Sequence, residues 1–168
     1  ELRPWSVVGS GRRSVVSGET IPPLLATLLE RIDDRLAGRE HLELEFKRAR
    51  GNLPKSIWET ISAFANTSGG WIVLGVNDEE RPPAIEGVAN AHDMMQTFFN
   101  LMRNDQKINC EVCGPTDAAI EDLGGNEVVL IHVPAAPRKQ RPVYIDGNPY
   151  RGTFVRRHSG DYRCNKTE

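Results

Sequence analysis

Between residues 42 and 76 the hydrophobic period of the chain changes twice, and that run constrains the fold more than any other. Leu42-Glu43-Leu44-Glu45-Phe46-Lys47 alternates apolar and polar side chains with period two, the pattern of a half-buried strand. Leu42, Leu44 and Phe46 take one face, and Glu43, Glu45 and Lys47 share the other. Gly51 and Asn52 make a turn, Pro54 opens a helix, and Ile57, Trp58, Ile61, Phe64 and Ala65 recur along it at helical spacing. Asn66-Thr67-Ser68-Gly69-Gly70 ends that helix, since glycines supply the left-handed conformation of a helix terminus. Residues 71–76 then form an apolar, buried strand. A strand, a helix and a strand in so short a span predict that 42–47 and 71–76 are neighbours in one sheet, with Glu45 near Asp78.

The remaining elements follow from the same signals. Thr20 caps a helix with Pro22 and Pro23 in its first turn; Leu24, Leu25, Leu28, Leu29, Ile32 and Leu36 stripe it, and Gly38 ends it. A further helix runs from about 90 to 102. Strands are predicted at 108–113, 117–122 and 127–133, the last two joined by a Leu123-Gly124-Gly125-Asn126 hairpin turn. Short strands at 143–145 and 150–157 close the chain. This order predicts an α+β fold: a mixed, mainly antiparallel sheet with three or so helices packed on it. It divides into an arm (1–19), an N-terminal helix (20–38) and one domain (39–168), read as a piece of a longer protein. The apolar strand at 127–133 offers a sheet edge through which a homodimer could pair.

Composition narrows the function classes. With 39% hydrophobic and 26% charged residues the chain reads as globular. Its apolar runs, such as 72–74 and 128–133, are far too short to span a membrane, and the N-terminus lacks signal-peptide architecture. Three cysteines are too few for a disulfide scaffold, which points to a reducing cytoplasm. The net charge of −2 conceals an asymmetry, because Arg138, Lys139, Arg141, Arg151, Arg156, Arg157, Arg163 and Lys166 face only Asp146 and Asp161 in the last stretch. Such a basic end suits phosphate binding by one face. Neither Gly9-Ser10-Gly11-Arg12-Arg13 nor any other run has the spacing of a phosphate loop.

Three strings carry a family resemblance: Glu40-x4-Glu45-Phe46-Lys47, Ile61-Ser62-Ala63-Phe64-Ala65-Asn66-Thr67-Ser68-Gly69-Gly70, and Leu74-Gly75-Val76-Asn77-Asp78. With the valine-rich 128–134, Pro142-Val143-Tyr144 and Tyr150-x5-Arg156-Arg157-x-Ser159-Gly160, they resemble the AlbA-type domain of Schlafen proteins over about 39–163. Many bacterial multidomain regulators contain a similar domain. The resemblance implies nucleic-acid binding, with DNA favoured over RNA in a transcription-regulator-type parent. Lys47, Arg48, Arg50, Arg151, Arg156 and Arg157 would contact phosphates, and Tyr144 and Tyr150 would offer stacking rings.

In vertebrate Schlafens a carboxylate triad supports metal-dependent RNA cleavage. Carried over, the triad is Glu40, Glu45 and Asp78, which would hold Mg²⁺ or Mn²⁺ if the domain is a nuclease. Asn77 stands where the family often has a second aspartate, which thins the acidic cluster. The expectation is therefore a binding domain without catalysis of its own and with no certain cofactor. A metal-dependent nuclease and part of a divergent ATPase-type protein are the alternatives. Cys110-x2-Cys113 could complete a zinc site only with Cys164 and His132 or His158, and residues three apart in a strand point to opposite faces, so the pair reads as buried free cysteines; His41 and His92 have no catalytic partner pattern.

Overall fold

The computed structural model describes residues 15–16, 19–20, 26–30, 43–80, 82–158 and 160–167. In chain order these form β1 (Val15–Val16), β2 (Glu19–Thr20), a helical segment α1 (26–30), β3 (Leu44–Lys47), α2 (Ile57–Ala65) and β4 (Gly70–Leu74). Next come β5 (Val76–Asn77), β6 (Ala84–Ile85), α3 (Ala91–Met102), β7 (Ala118–Leu123) and β8 (Asn126–Val133). The chain closes with α4 (Pro149–Gly152), β9 (Phe154–Arg157) and β10 (Gly160–Arg163). The fold is α+β, with one parallel strand pair and otherwise antiparallel pairing. Among the described residues no helix is long and apolar enough to cross a membrane.

The central sheet has the order β3-β4-β8-β7. Its parallel pair is the predicted one: Glu45 lies opposite Ile72 and Lys47 opposite Leu74. Because side chains alternate across a strand, this register sends Leu44, Phe46, Trp71 and Val73 to one face and Glu45, Lys47, Ile72 and Leu74 to the other. The first face packs on Leu28 and Leu29 of α1. The second packs Ile72, Leu74, Val129 and Ile131 against α2 and α3, where Trp58 and Phe98 stack with ring centres 5.6 Å apart. Fully burying each such side chain contributes about 1.5–3 kcal/mol. Asn90 starts α3 by accepting a hydrogen bond from the Asp93 amide, the role of an N-cap.

Gly69 makes the return from α2 into β4 possible. It has φ +76°, and a β-carbon there would stand 2.6 Å from the Val133 carbonyl oxygen. Gly75, at φ +105°, ends β4, so 71–76 is not the single strand expected. Beyond it β5 leaves the sheet and pairs with β6 instead.

Other expectations need correction. Thr20 pairs with Val15 in β2 rather than capping a helix, and of the helix expected over 20–38 the described part is 26–30. The stretch 108–113 forms no strand, only a bridge from Ile108 to Ile145. Residues 143–145 contribute isolated bridges. The strand expected over 150–157 starts at Phe154, because the Asn148 side chain accepts from the amides of Tyr150 and Arg151 and winds Pro149–Gly152 into a helical turn. Strand 127–133 is no sheet edge: β8 is paired by β4 on one side and β7 on the other, so the proposed dimer edge is occupied within the chain.

Candidate nucleic-acid interface

Glu43, Glu45 and Lys47 were expected on a solvent-facing side of β3. That side is covered instead by α2 and the β9–β10 hairpin, and Glu45 is only 8% exposed. In the hairpin Asp161 lies directly across from Arg156. The Arg156 guanidinium donates to Asp161 Oδ1 at 2.8 Å and to Glu43 Oε2 at 3.4 Å. Its Nη1 also stands 3.0 Å from Glu45 Oε2, in an ion pair without hydrogen-bond alignment, so that this buried oxygen has no donor aimed at it. Thr60 of α2 donates to Asp161 at 2.7 Å, and the guanidinium lies 5.0 Å over the Phe64 ring. Lys47 reaches Glu45 at 3.5 Å and donates to Ser56 at 3.1 Å.

Three acids and two bases thus tie β3, α2 and the hairpin together around one guanidinium. Burial pushes the Glu45 carboxyl above the usual carboxylate range, against the pull of Lys47 and Arg156. Burial opposes the charge of Arg156 as well, but the Asp161 hydrogen bond and the attraction of Glu45 outweigh it, and the guanidinium is held above its ordinary pKa. Lys47 and Arg156, both expected to touch phosphate, are enclosed.

A divalent cation on the triad would need Glu45 as an open oxygen ligand. The described residues do not fit one there, because the carboxylates around Glu45 converge on Arg156, which already fills the cationic position. Asp78 lies six residues past Ile72, the partner of Glu45, beyond the break at Gly75. Glu40 lies outside the described residues. Among the described residues no three His, Cys, Asp or Glu side chains gather as metal ligands. Cys113 is buried, donates to the His132 carbonyl oxygen at 3.4 Å, and has its thiol pushed far up by burial; neither Cys110 nor Cys164 is in a disulfide.

Arg48 and Arg50 lie at the surface, and both hold Glu86, at 3.2 and 3.0 Å. Burial would raise the Glu86 carboxyl, but hydrogen bonds from Arg48, Asn77 and Arg50 outweigh it and keep the group below the usual range. Asn77 donates to Glu86 at 3.1 Å and to Glu80 at 3.5 Å, so acids as well as bases gather at this corner.

The basic C-terminal stretch has a sharper division. Arg138, Lys139, Arg141, Arg151, Arg157, Arg163 and Lys166 are all exposed, and Arg156 alone is buried. The acids of the stretch are already engaged, Asp161 by Arg156 and Asp146 by Lys107 at 3.4 Å. Tyr150 is 68% exposed, whereas Tyr144 is half-buried and bridges to Thr153. The sequence places Arg138, Lys139, Arg141, Arg163 and Lys166 in the basic end without marking any of the five as a phosphate contact; in the structure the Arg163 guanidinium lies over the Phe154 ring.

Comparison with known proteins agrees with this architecture. Residues 40–165 match the family model described as Schlafen, AlbA_2. An uncharacterized ATP-binding protein of Ureaplasma parvum is 32% identical over 90 residues, covering 52% of this chain but only 22% of that relative's length. The solution structure of the N-terminal domain of a RecG-related protein from Nitrosomonas europaea, named for an ATP-dependent DNA helicase, superposes with a TM-score of 0.55 at 27% identity. It covers 80% of this chain and 91% of that one. The DIP2311 protein of Corynebacterium diphtheriae shares the fold with a TM-score of 0.52 at 19% identity, over 82% of this chain and 26% of its own.

Proposed function

Because the chain belongs to the Schlafen, AlbA_2 family, we propose that it is a nucleic-acid-binding domain of a larger, regulator-type protein, acting without metal or catalysis of its own. The observation that carries this reading is the sorting of the C-terminal bases: seven of the eight are exposed, while the nearby acids are engaged, Asp161 by Arg156 inside and Asp146 by Lys107 at the surface. Exposed guanidinium and ammonium groups release counterions when they meet a phosphate backbone, which gives affinity without sequence information. Arg48 and Arg50, exposed but paired with Glu86, are further candidate phosphate contacts. DNA is favoured over RNA, in keeping with the DNA helicase named for the Nitrosomonas relative. The enclosure of Glu45 by Arg156 favours binding over metal-dependent cleavage. The ATP-binding name of the Ureaplasma relative is not carried over, since the sequence has no phosphate-loop motif.

The test is fluorescence anisotropy with labelled DNA and RNA, run in chelator and again with Mn²⁺. Binding of equal strength in both conditions, with intact oligonucleotide recovered, is the expected result. Cleavage that requires Mn²⁺ would replace this reading with the nuclease.

A further inference from the structure

An open groove of about 410 Å³ runs beside α4, within the roughly 300–1,000 Å³ typical of small-ligand sites. Its walls come from the end of α2, the loop at 141–142, α4 and the segment after β10. Pro142, Pro149 and Val155 are its apolar lining, Arg141 and Lys166 its charged lining, and among the described residues no carboxylate side chain lines it. In a chain with more acids than bases, a groove whose described charged lining is all cationic is complementary to an anion.

The groove is also held in shape. Arg141 donates to the carbonyls of Ala136, Asn66 and Thr67, which uses three of its five N–H groups and caps the end of α2. Its remaining N–H groups are therefore carried on a fixed guanidinium. Tyr150 stands on the first turn of α4, fixed by Pro149 before it and by the Asn148 cap on its amide. Its ring is 68% exposed, an apolar face left in water beside two cations.

We infer that this groove takes one unstacked nucleotide of a single strand, its base on the Tyr150 ring and its phosphate at Lys166 and Arg141. This inference rests on the nucleic-acid reading above and makes it specific for single strands. A duplex keeps its bases stacked inside and can offer the groove only phosphate, whereas a single strand offers both groups that the groove complements. Stacking on a tyrosine tolerates every base, so the site is indifferent to sequence.

The experiment compares single-stranded DNA, single-stranded RNA and duplex DNA of equal length by anisotropy in chelator. The proteins are wild type, Tyr150→Ala, Tyr150→Phe, Lys166→Ala and, as an exposed tyrosine outside the groove, Tyr162→Ala. Tyr150→Ala should weaken single-strand binding roughly 5- to 100-fold, the span of one lost base–aromatic stack. Tyr150→Phe and Tyr162→Ala should bind single strands as wild type does, and Tyr150→Ala should leave duplex affinity alone. A loss in either the DNA or the RNA arm supports the groove, and the arm with the larger loss identifies the sugar it receives. Wild type that binds single strands while Tyr150→Ala binds them equally well overturns the groove and leaves the wider reading standing. Wild type that binds no nucleic acid overturns both.

Discussion

Replacing Arg156 by alanine tests whether this arginine is an internal tie or a surface ligand. Its side chain is 3% exposed and touches three carboxylates at 2.8, 3.0 and 3.4 Å. Glu43 is a third exposed and contributes little after solvent screening, so the loss falls on Asp161 and Glu45. Leaving a buried charge without its partner costs about 3–5 kcal/mol, a large part of the 5–15 kcal/mol that holds a typical domain together. Urea unfolding followed by the fluorescence of buried Trp58 and Trp71 reads this directly. The cost should also depend on pH. Glu45 has a folded pKa raised above its unfolded value, so the folded state binds the extra proton and loses stability as pH rises through that window. Without Arg156 the folded pKa rises further. The destabilisation should therefore be greatest near neutrality and shrink as pH falls through the raised Glu45 pKa toward the ordinary carboxylate range. Adding Glu45→Gln to Arg156→Ala should restore part of the loss at pH 7. Should Arg156→Ala not fold, Arg156→Lys keeps the charge without the fork and is expected to lie between the two. A cost under about 1 kcal/mol, the size of an exposed pair, or one that is flat with pH, would refute the enclosed arrangement.

Arg151→Ala combined with Arg157→Ala, both on the exposed side, should weaken binding to all oligonucleotides alike and flatten the salt dependence by about two phosphate contacts; unchanged anisotropy titrations would argue against this surface. Gly69→Ala should cost at least about 1–3 kcal/mol in urea unfolding, because its φ of +76° and a β-carbon 2.6 Å from the Val133 carbonyl oxygen leave no relaxed backbone. Asp78→Ala should change chelator-insensitive binding by less than about 1 kcal/mol, and a larger loss would give that carboxylate a role in holding the ligand.

The parts of the fold legible in the sequence were those written in local period. The alternation in 42–47 identified the Leu44 and Phe46 face, and the glycines at 69 and 70 located the turn that brings β4 parallel to β3. What the alternation could not say is what covers the opposite face. Glu45 looked like a solvent-side carboxylate because its covering elements, α2 and the β9–β10 hairpin, include residues more than a hundred positions away. The pair Arg156-Arg157 shows the same limit. Adjacent strand residues point to opposite faces, so one arginine enters the ion cluster and the other stays outside, and nothing in the dipeptide says which. That choice is made by the hairpin register, which sets Asp161 opposite Arg156. Gly75 was visible as a glycine, but its φ of +105° and the close approach of Gly87, which leaves little room for a β-carbon, are set by tertiary packing.

The central claim is metal-independent binding of nucleic acid by exposed cations. Its most direct test is a salt titration of single-strand affinity with the wild-type protein in chelator. If four of the exposed bases meet phosphates, affinity should fall about 50-fold between 50 and 200 mM salt, from a slope of roughly −0.7 per contact. Affinity that ignores salt, or that vanishes in chelator and returns with Mn²⁺, would contradict the account.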